Sequence, residues 1–147
     1  MSDARRQARE AALQILYLWE IGRAEPAAAV EAYFETHDPD ADAQVRTFAS
    51  AQVLGTVRDL ADIDQLIDSH SQHWRVARLA VVDRLILRAA TWQLMHEPDV
   101  SRAVIINDAV ELARRFSADE SVGFVNGVLD AIRKTFEQSG PLPDVSV

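Results

Sequence analysis

The sequence predicts an all-α fold, and three observations on its 147 residues support this prediction. Apolar residues make up 48% of the chain, which is enough for a hydrophobic core. Glycine and proline number only five each, which disfavours a fold rich in turns and strands. Apolar residues recur at helical spacing in seven segments, while strand-like alternation is not sustained. We therefore expect about seven helices packed as a bundle in two helical subdomains.

The first three predicted helices form an N-terminal group. The first helix runs from about Asp3 to Ile21, where a glycine ends it. Pro26 opens a short second helix, because proline is tolerated in the first turn. After an acidic loop, Asp42 is expected to cap a third helix that ends near Asp59.

The remaining four predicted helices form a larger C-terminal group. Asp62 is expected to cap the fourth helix, and Ser101 is expected to cap the sixth. The fifth, over about residues 78–96, is apolar nearly all round, which is typical of a helix in the middle of a bundle. Ser117 and Glu120 fit a capping box at the start of the seventh helix.

We predict that both groups belong to a single domain over residues 1–140. The N-terminal group covers about residues 3–59, and the C-terminal group covers about residues 60–137. Residues 141–147 are expected to form a flexible tail, because this end of the chain contains two prolines.

The net charge of −8 is unevenly distributed along the chain. Residues 24–70 hold ten acidic residues and two arginines, whereas residues 1–23 carry four arginines against three acidic residues. A locally basic end allows an otherwise acidic protein to bind nucleic acid. The acidic segment suits a basic partner, although a solvated, solubilising surface is the alternative.

The residues that most enzymes and metal sites need are missing or badly spaced. Cysteine is absent, which excludes disulfides and thiol chemistry. His70 and His73 could share a helix face, but the spacing supplies no third metal ligand. A loop starting at Asp38 resembles a calcium loop, yet Ala43 and Ala49 occupy its required Gly and Glu positions. Nucleotide-binding glycine motifs are also missing. We therefore predict a protein without enzymatic activity, metal or cofactor.

No segment of the sequence is predicted to enter a membrane. No apolar run approaches the roughly 18 residues that a spanning helix needs, and the N-terminus is charged rather than signal-like. We therefore expect a cytoplasmic protein that makes no membrane contact.

Arginines near the start of the first helix suggest RNA binding. Arg5 and Arg9 lie one helical turn apart. Arg6, Leu13 and Tyr17 follow a common stripe along the helix. Arginine supplies phosphate contacts and tyrosine supplies a face for an unpaired base, which fits single-stranded RNA better than a duplex groove. The alternative is that Tyr17 fills the core.

Phe124 is a candidate second stacking residue. It lies just inside the last predicted helix, close to Glu120 and Ser121. A core phenylalanine that packs with Val125 and Val128 is the alternative, and the sequence leaves both open.

Four blocks of the sequence resemble the NusB family of bacterial antitermination factors. The blocks are RRQAREAALQILY at 5–17, VDRLILRAA at 82–90, INDAVELA at 106–113 and FVNGVLD at 124–130. They occur in the family's order and together cover the chain from about residue 4 to residue 135. The last two are specific motifs at the family's spacing.

The resemblance implies an all-helical fold of two subdomains without enzymatic activity. It implies binding to boxA single-stranded RNA of ribosomal-RNA transcripts, together with the small-subunit ribosomal protein NusE, within the RNA polymerase antitermination complex. By position, the implied RNA-binding residues are Arg5, Arg6, Arg9, Gln14, Tyr17, Glu120, Ser121 and Phe124. Asp83 matches an acidic position on the face that meets NusE, so the resemblance implies that Asp83→Lys weakens this association and preserves the helical signal.

The chain departs from the family pattern at two basic positions. Gln7 stands where relatives often have arginine, and Gly123 stands where they often have lysine. Both changes remove positive charge, which implies a stronger dependence on the protein partner. The alternative function is an acidic all-helical protein-interaction module without RNA binding. A homodimer also stays open, because some relatives are dimers.

Overall fold

The computed structural model describes residues 3–71 and 75–138, and every regular element within these ranges is helical. The described residues form seven α-helices: α1 (Asp3–Gly22), α2 (Pro26–His37), α3 (Ala43–Arg58), α4 (Leu60–His70), α5 (Val81–His96), α6 (Arg102–Phe116) and α7 (Asp119–Gln138). A short 3₁₀ turn, Val76–Arg78, precedes α5. The all-α prediction is confirmed. None of the described helices has the length and apolar character that crossing a lipid bilayer requires.

Some helix boundaries differ from those predicted by the sequence. Helix α2 extends to His37, beyond Phe34, where the sequence predicts its end. Helix α4 begins at Leu60, so that Asp59 alone joins it to α3, and Asp62 lies inside its first turn. There its carboxylate still interacts favourably with the positive end of the helix dipole. The turn Val76–Arg78 ends at the residue where the sequence predicted the start of the fifth helix, and α5 itself begins at Val81.

The predicted helix caps are only partly present. The Ser101 hydroxyl accepts a hydrogen bond from the Val104 amide at 3.4 Å, which confirms this cap. Asp42 precedes α3 but makes no side-chain capping bond within the described ranges. The capping box at α7 is wrong, because the Ser117 hydroxyl donates to the Asp83 carboxylate instead.

Helix α5 is the central helix of the bundle. Helices α1, α2 and α3 pack on one another, α6 and α7 pack together with α4 nearby, and α5 contacts members of both groups. Every side chain from Leu85 to Leu94 is buried, as the apolar pattern predicted. The packing agrees with two helical subdomains. The exact division near residue 59 stays a prediction, and the predicted tail lies outside the described residues.

Ion pairs from α5 connect its neighbours. Arg84 contacts the Glu20 carboxylate of α1 at 2.6 Å. Arg88 reaches the same carboxylate at 3.2 Å and also donates two hydrogen bonds, of 2.8 and 2.9 Å, to Asp64 of α4. Arg88 is buried, and burying an unpaired charge is unfavourable. The two carboxylates supply the opposite charge and the hydrogen-bond acceptors that its guanidinium needs.

Gly55 allows α3 to pack closely against Trp92 of α5. A Cβ atom at Gly55 would lie 2.3 Å from the indole ring, and the ring is buried. We expect Gly55→Ala to lower the free energy of unfolding by about 2 kcal/mol, because the steric cost exceeds the gain in helix propensity of about 1 kcal/mol. Urea denaturation followed by tryptophan fluorescence measures this change.

Gly127 of α7 provides the matched control for this substitution. A Cβ atom there would have no described atom within 4 Å. Gly127→Ala should therefore leave the stability unchanged or raise it by up to about 1 kcal/mol. Equal effects of the two alanine substitutions would contradict the close packing of Trp92 on Gly55.

Candidate functional site

A cleft of about 390 Å³ opens between α1 and α6. Residues one turn apart on each helix share a side, so that the two helices present charged stripes to each other. The stripes supply three arginines, three carboxylates and one leucine: Arg6, Arg9, Arg115, Glu10, Asp108, Glu111 and Leu112. The cleft is therefore lined by arginine, but its positive charge is balanced by its own carboxylates.

Arg9 is held inside the protein at the wall of this cleft. Its side chain is only 5% exposed. The guanidinium donates one hydrogen bond to Gln93 and one to Asp108, each at 2.5 Å. Its Nη2 atom is buried and has no hydrogen-bond partner among the described residues. The predicted phosphate contact of Arg9 stays a prediction. In this structure the guanidinium links α1 to Gln93 of α5 and to Asp108 of α6.

Arg5 is also engaged by acidic residues, those that follow α5. Its guanidinium contacts Asp99 at 2.9 Å and Glu97 at 3.7 Å. It also lies 4.4 Å from the centre of the Phe48 ring. Burial raises the pKa of Glu97, and Arg5 and Arg9 partly oppose that shift. A phosphate that binds Arg5 must therefore compete with these carboxylates.

Arg6 is the exposed arginine at the start of α1. Its side chain is 75% exposed, and its nearest carboxylate, Asp108, is 3.9 Å away. A contact this long in solvent is worth little, so the guanidinium remains available to an incoming anion. Of the three arginines predicted to contact RNA, Arg6 is the one that the fold leaves most accessible.

Arg115 of α6 was not among the predicted site residues. It donates two hydrogen bonds across the cleft to Glu10 of α1, at 2.9 and 3.0 Å. The neighbouring Arg114 instead pairs with Glu111 on its own helix. The sequence could not separate these adjacent arginines, because only the approach of α1 decides which one lines the cleft.

An aromatic groove of about 210 Å³ lies further along α1, where it meets α2. Its lining residues are Gln14, Tyr17, Leu18, Tyr33 and His37. Tyr17 is 42% exposed, so the alternative in which it fills the core is wrong. The rings of Tyr33 and His37 stack with their centroids 5.0 Å apart and their planes 13° apart. The sequence missed both residues, since their position depends on how α2 packs on α1.

The charged cleft and the aromatic groove are neighbours on α1. Glu10 of the cleft and Gln14 of the groove are one helical turn apart. Burial raises the pKa of the Tyr33 phenol, and the negative charges of Glu10 and Asp38 raise it further. One side of α1 therefore presents an exposed cation, followed by a polar amide and exposed rings.

A third groove, of about 300 Å³, lies between the start of α5 and the start of α7. Its lining includes three predicted residues, Glu120, Ser121 and Phe124, together with Asp83 and Arg78. Glu120 is exposed, whereas Phe124 is half-buried and packs partly on the core. Arg78 is exposed and has no ion-pair partner in the described ranges. This groove shares no lining residue with either surface on α1.

Asp83 is a buried residue in the wall of this groove. Its residue is only 8% exposed, and its carboxylate accepts hydrogen bonds from the hydroxyls of Ser117 and Ser121. The bond from Ser121 measures 2.7 Å. Asp83 therefore fixes the turn between α6 and α7 to α5. The contact of Asp83 with NusE stays a prediction, and in this structure its carboxylate is held by the two serines.

The described residues contain no group of three possible metal ligands. His70 is occupied internally, because its Nδ1 lies 2.8 Å from the Leu66 carbonyl and its Nε2 lies 2.9 Å from the Thr135 hydroxyl. His73, the second residue of the metal hypothesis, lies outside the described residues. The structure offers no support for a site based on this pair.

The seven described helices define a class of protein, an all-α bundle with clefts between its helices. The model of the NusB family matches residues 6–134. The chain is 42% identical over 140 residues to the transcription antitermination protein NusB of Solibacter usitatus, and the match covers 95% of each protein. This chain belongs to the NusB family.

Solved structures agree with this assignment. The fold is similar to that of NusB from T. maritima, with a TM-score of 0.81 and 36% identity, over 91% of this chain and 93% of the other. It is also similar to a chain in a crystal structure of the antitermination factors NusB and NusE in complex with double-stranded RNA. That match has a TM-score of 0.84 and 27% identity, and it covers 92% of this chain and 99% of the other.

Proposed function

We propose that this protein is a transcription antitermination factor that binds boxA RNA together with NusE. The observation that carries this proposal is the order of groups along α1. Arg6 is an exposed cation beside the cleft, and Gln14 and the exposed Tyr17 ring follow in the adjoining groove. Phosphate binds to arginine and an unstacked base binds to an aromatic face, so this order suits single-stranded RNA.

Each predicted residue of α1 has a specific role in this proposal. Arg6 binds phosphate, Tyr17 stacks on a base, and the Gln14 amide forms a hydrogen bond with a base edge. Arg5 and Arg9 contribute only if RNA displaces the carboxylates that now hold them.

A second RNA contact is proposed at the groove between α5 and α7. Phe124 supplies a ring there, and the exposed Arg78 supplies a positive charge. Glu120 and Ser121 lie at the same groove, where Ser121 is held by Asp83. This groove shares no lining residue with the cleft or the aromatic groove on α1. One RNA strand would therefore have to extend from α1 to this groove to contact both.

The protein partner is supported by the relatives and by charge. A structurally similar chain was solved with NusE and double-stranded RNA. The ten acidic residues within 24–70 suit a basic ribosomal protein. We propose that the pair acts in the cytoplasm within the RNA polymerase antitermination complex, by binding and without catalysis.

Fluorescence anisotropy with labelled RNA tests the function directly. We expect the protein to bind single-stranded boxA RNA more tightly than a scrambled strand of equal length, and NusE to increase this affinity. A boxA duplex should compete less well than the single strand. If the protein binds NusE but binds all three RNAs with equally weak affinity, the protein-interaction module is favoured instead. The balanced charge of the cleft and the net charge of −8 are the observations that agree with this alternative.

Arg6→Gln is expected to weaken boxA binding and to flatten its salt dependence. Losing one phosphate contact to a single strand should lower the slope of log affinity against log salt concentration by about 0.7. Arg23→Gln is the control, because Arg23 is an exposed arginine just beyond the other end of α1. The same slope in both variants would remove Arg6 from the RNA site.

A further inference from the structure

The bridge between Arg115 and Glu10 lies in the same cleft as Arg6, the proposed phosphate contact. It joins residues that are 105 positions apart in the chain and crosses from α6 to α1. Both side chains are accessible, with 53% of Arg115 and 34% of Glu10 exposed. The bond geometry presents the two guanidinium donors of Arg115 side by side, which is the arrangement that also binds a phosphate group.

The ion pair between Arg9 and Asp108 in the same cleft differs from this bridge in its burial. Arg9 and Asp108 are almost fully enclosed, so separating them would leave charges in a poorly solvated place. Exposed pairs such as that of Arg115 and Glu10 contribute little to stability and exchange partners readily. The bridge is therefore the pair that an incoming anion can open without disturbing the fold.

The charge balance of the cleft favours a polyanion over a small anion. Three arginines face three carboxylates, so the closed cleft has little net attraction for a small anion. An RNA strand that already contacts Arg6 brings further phosphates to the cleft at high local concentration.

We propose that Arg115 is a phosphate-binding residue of the RNA site and that Glu10 competes with the phosphate for it. In the free protein the Glu10 carboxylate accepts the hydrogen bonds of the Arg115 guanidinium, and in the complex an RNA phosphate accepts them in place of Glu10. This inference rests on the proposed function and extends it, because it identifies a contact on α6 and an internal competitor on α1. Glu10 thereby favours polyanionic RNA over isolated anions.

The test compares Arg115→Gln with Arg114→Gln by boxA anisotropy titrations at several salt concentrations. Arg114 is the matched control, since it is the adjacent residue, carries the same charge, is equally exposed and pairs with Glu111 rather than across the cleft. We expect Arg115→Gln to lower the salt slope by about 0.7, and Arg114→Gln to leave the slope close to that of the wild type. Arg115→Lys should restore the slope and only part of the affinity, because lysine keeps the charge but not the paired donors.

Glu10→Gln tests the competitor. Removing the Glu10 carboxylate charge should tighten boxA binding by roughly twofold to fivefold, since an exposed ion pair with Arg115 is weak and costs the phosphate little to displace. In the double variant Glu10→Gln/Arg115→Gln this gain should disappear, because the carboxylate acts through Arg115. Far-UV circular dichroism and the urea midpoints of these variants are expected to match the wild type.

The outcomes separate this inference from the proposed function. If the wild type binds boxA RNA and Arg6→Gln weakens it, but Arg115→Gln behaves like Arg114→Gln, the role of Arg115 is overturned and the function stands. A Glu10→Gln variant that binds no more tightly than the wild type overturns the competition. A wild type that binds no boxA RNA, with or without NusE, overturns the function and this inference together.

Discussion

Asp83→Lys is expected to destabilise the whole bundle rather than remove a single surface contact. The lysine would place an ammonium group where two serine hydroxyls now donate to a buried carboxylate. Burying a charge without a counter-ion, and losing both hydrogen bonds, should lower the free energy of unfolding by about 3 kcal/mol or more. For a chain of this size this corresponds to a fall in the melting temperature of roughly 6–12 °C.

Asp83→Asn separates the contribution of charge from that of shape at this position. The amide keeps one acceptor for a serine hydroxyl but directs an NH₂ group at the other, so we expect a smaller loss of about 1–2 kcal/mol. Urea unfolding and thermal melting, followed by circular dichroism, measure both variants. NusE binding should be measured at a temperature where each variant is folded.

This prediction differs from the expectation drawn from the family resemblance. There, Asp83→Lys was expected to weaken NusE binding and preserve the helical signal, as for an exposed acidic residue. The structure instead predicts that any loss of NusE binding accompanies a loss of stability. A lysine variant with wild-type stability and impaired NusE binding would restore the interpretation of Asp83 as a direct contact.

Arg9→Met should have a comparably large effect on stability. It leaves Asp108 without its buried partner and removes the donor that satisfies the Gln93 amide oxygen. Breaking a buried ion pair by removing one partner costs about 3–5 kcal/mol. Urea denaturation should show this as a lower midpoint with an unchanged slope.

The double variant Arg9→Met/Asp108→Leu identifies the cause of this loss. Replacing both members by apolar side chains removes the unpaired charge, so much of the stability should return. Arg114→Met is the control, because Arg114 pairs with Glu111 at the surface, where more than half of each side chain is exposed, and should cost no more than about 1 kcal/mol. Unchanged stability of Arg9→Met with impaired RNA binding would assign Arg9 to the RNA interface instead.

The helices were predictable because the signals that form them are local. Apolar residues at helical spacing mark the buried side of each segment, and α5 showed its central position by being apolar nearly all round. Proline at the start of α2 and the Ser101 cap of α6 act within one turn. The capping box at Ser117 failed for the opposite reason, since a residue 34 positions away accepts its hydroxyl.

The candidate site was predictable only as a region. The sequence located basic and aromatic residues on α1, but successive residues of a helix point in directions about 100° apart. Arg5 and Arg9 therefore face the neighbouring helices while Arg6 faces solvent. Which arginine is accessible depends on where α5 and α6 pack.

The sequence by itself determined the helical class, the central position of α5 and the resemblance to the NusB family, because these depend on short-range patterns. Only the tertiary structure decided that Arg9 and Asp83 are buried, that Tyr17 is exposed, and that Arg115 meets Glu10. The physical reason is that burial and ion pairing depend on groups brought together from distant parts of the chain, as the 105 positions between Arg115 and Glu10 show.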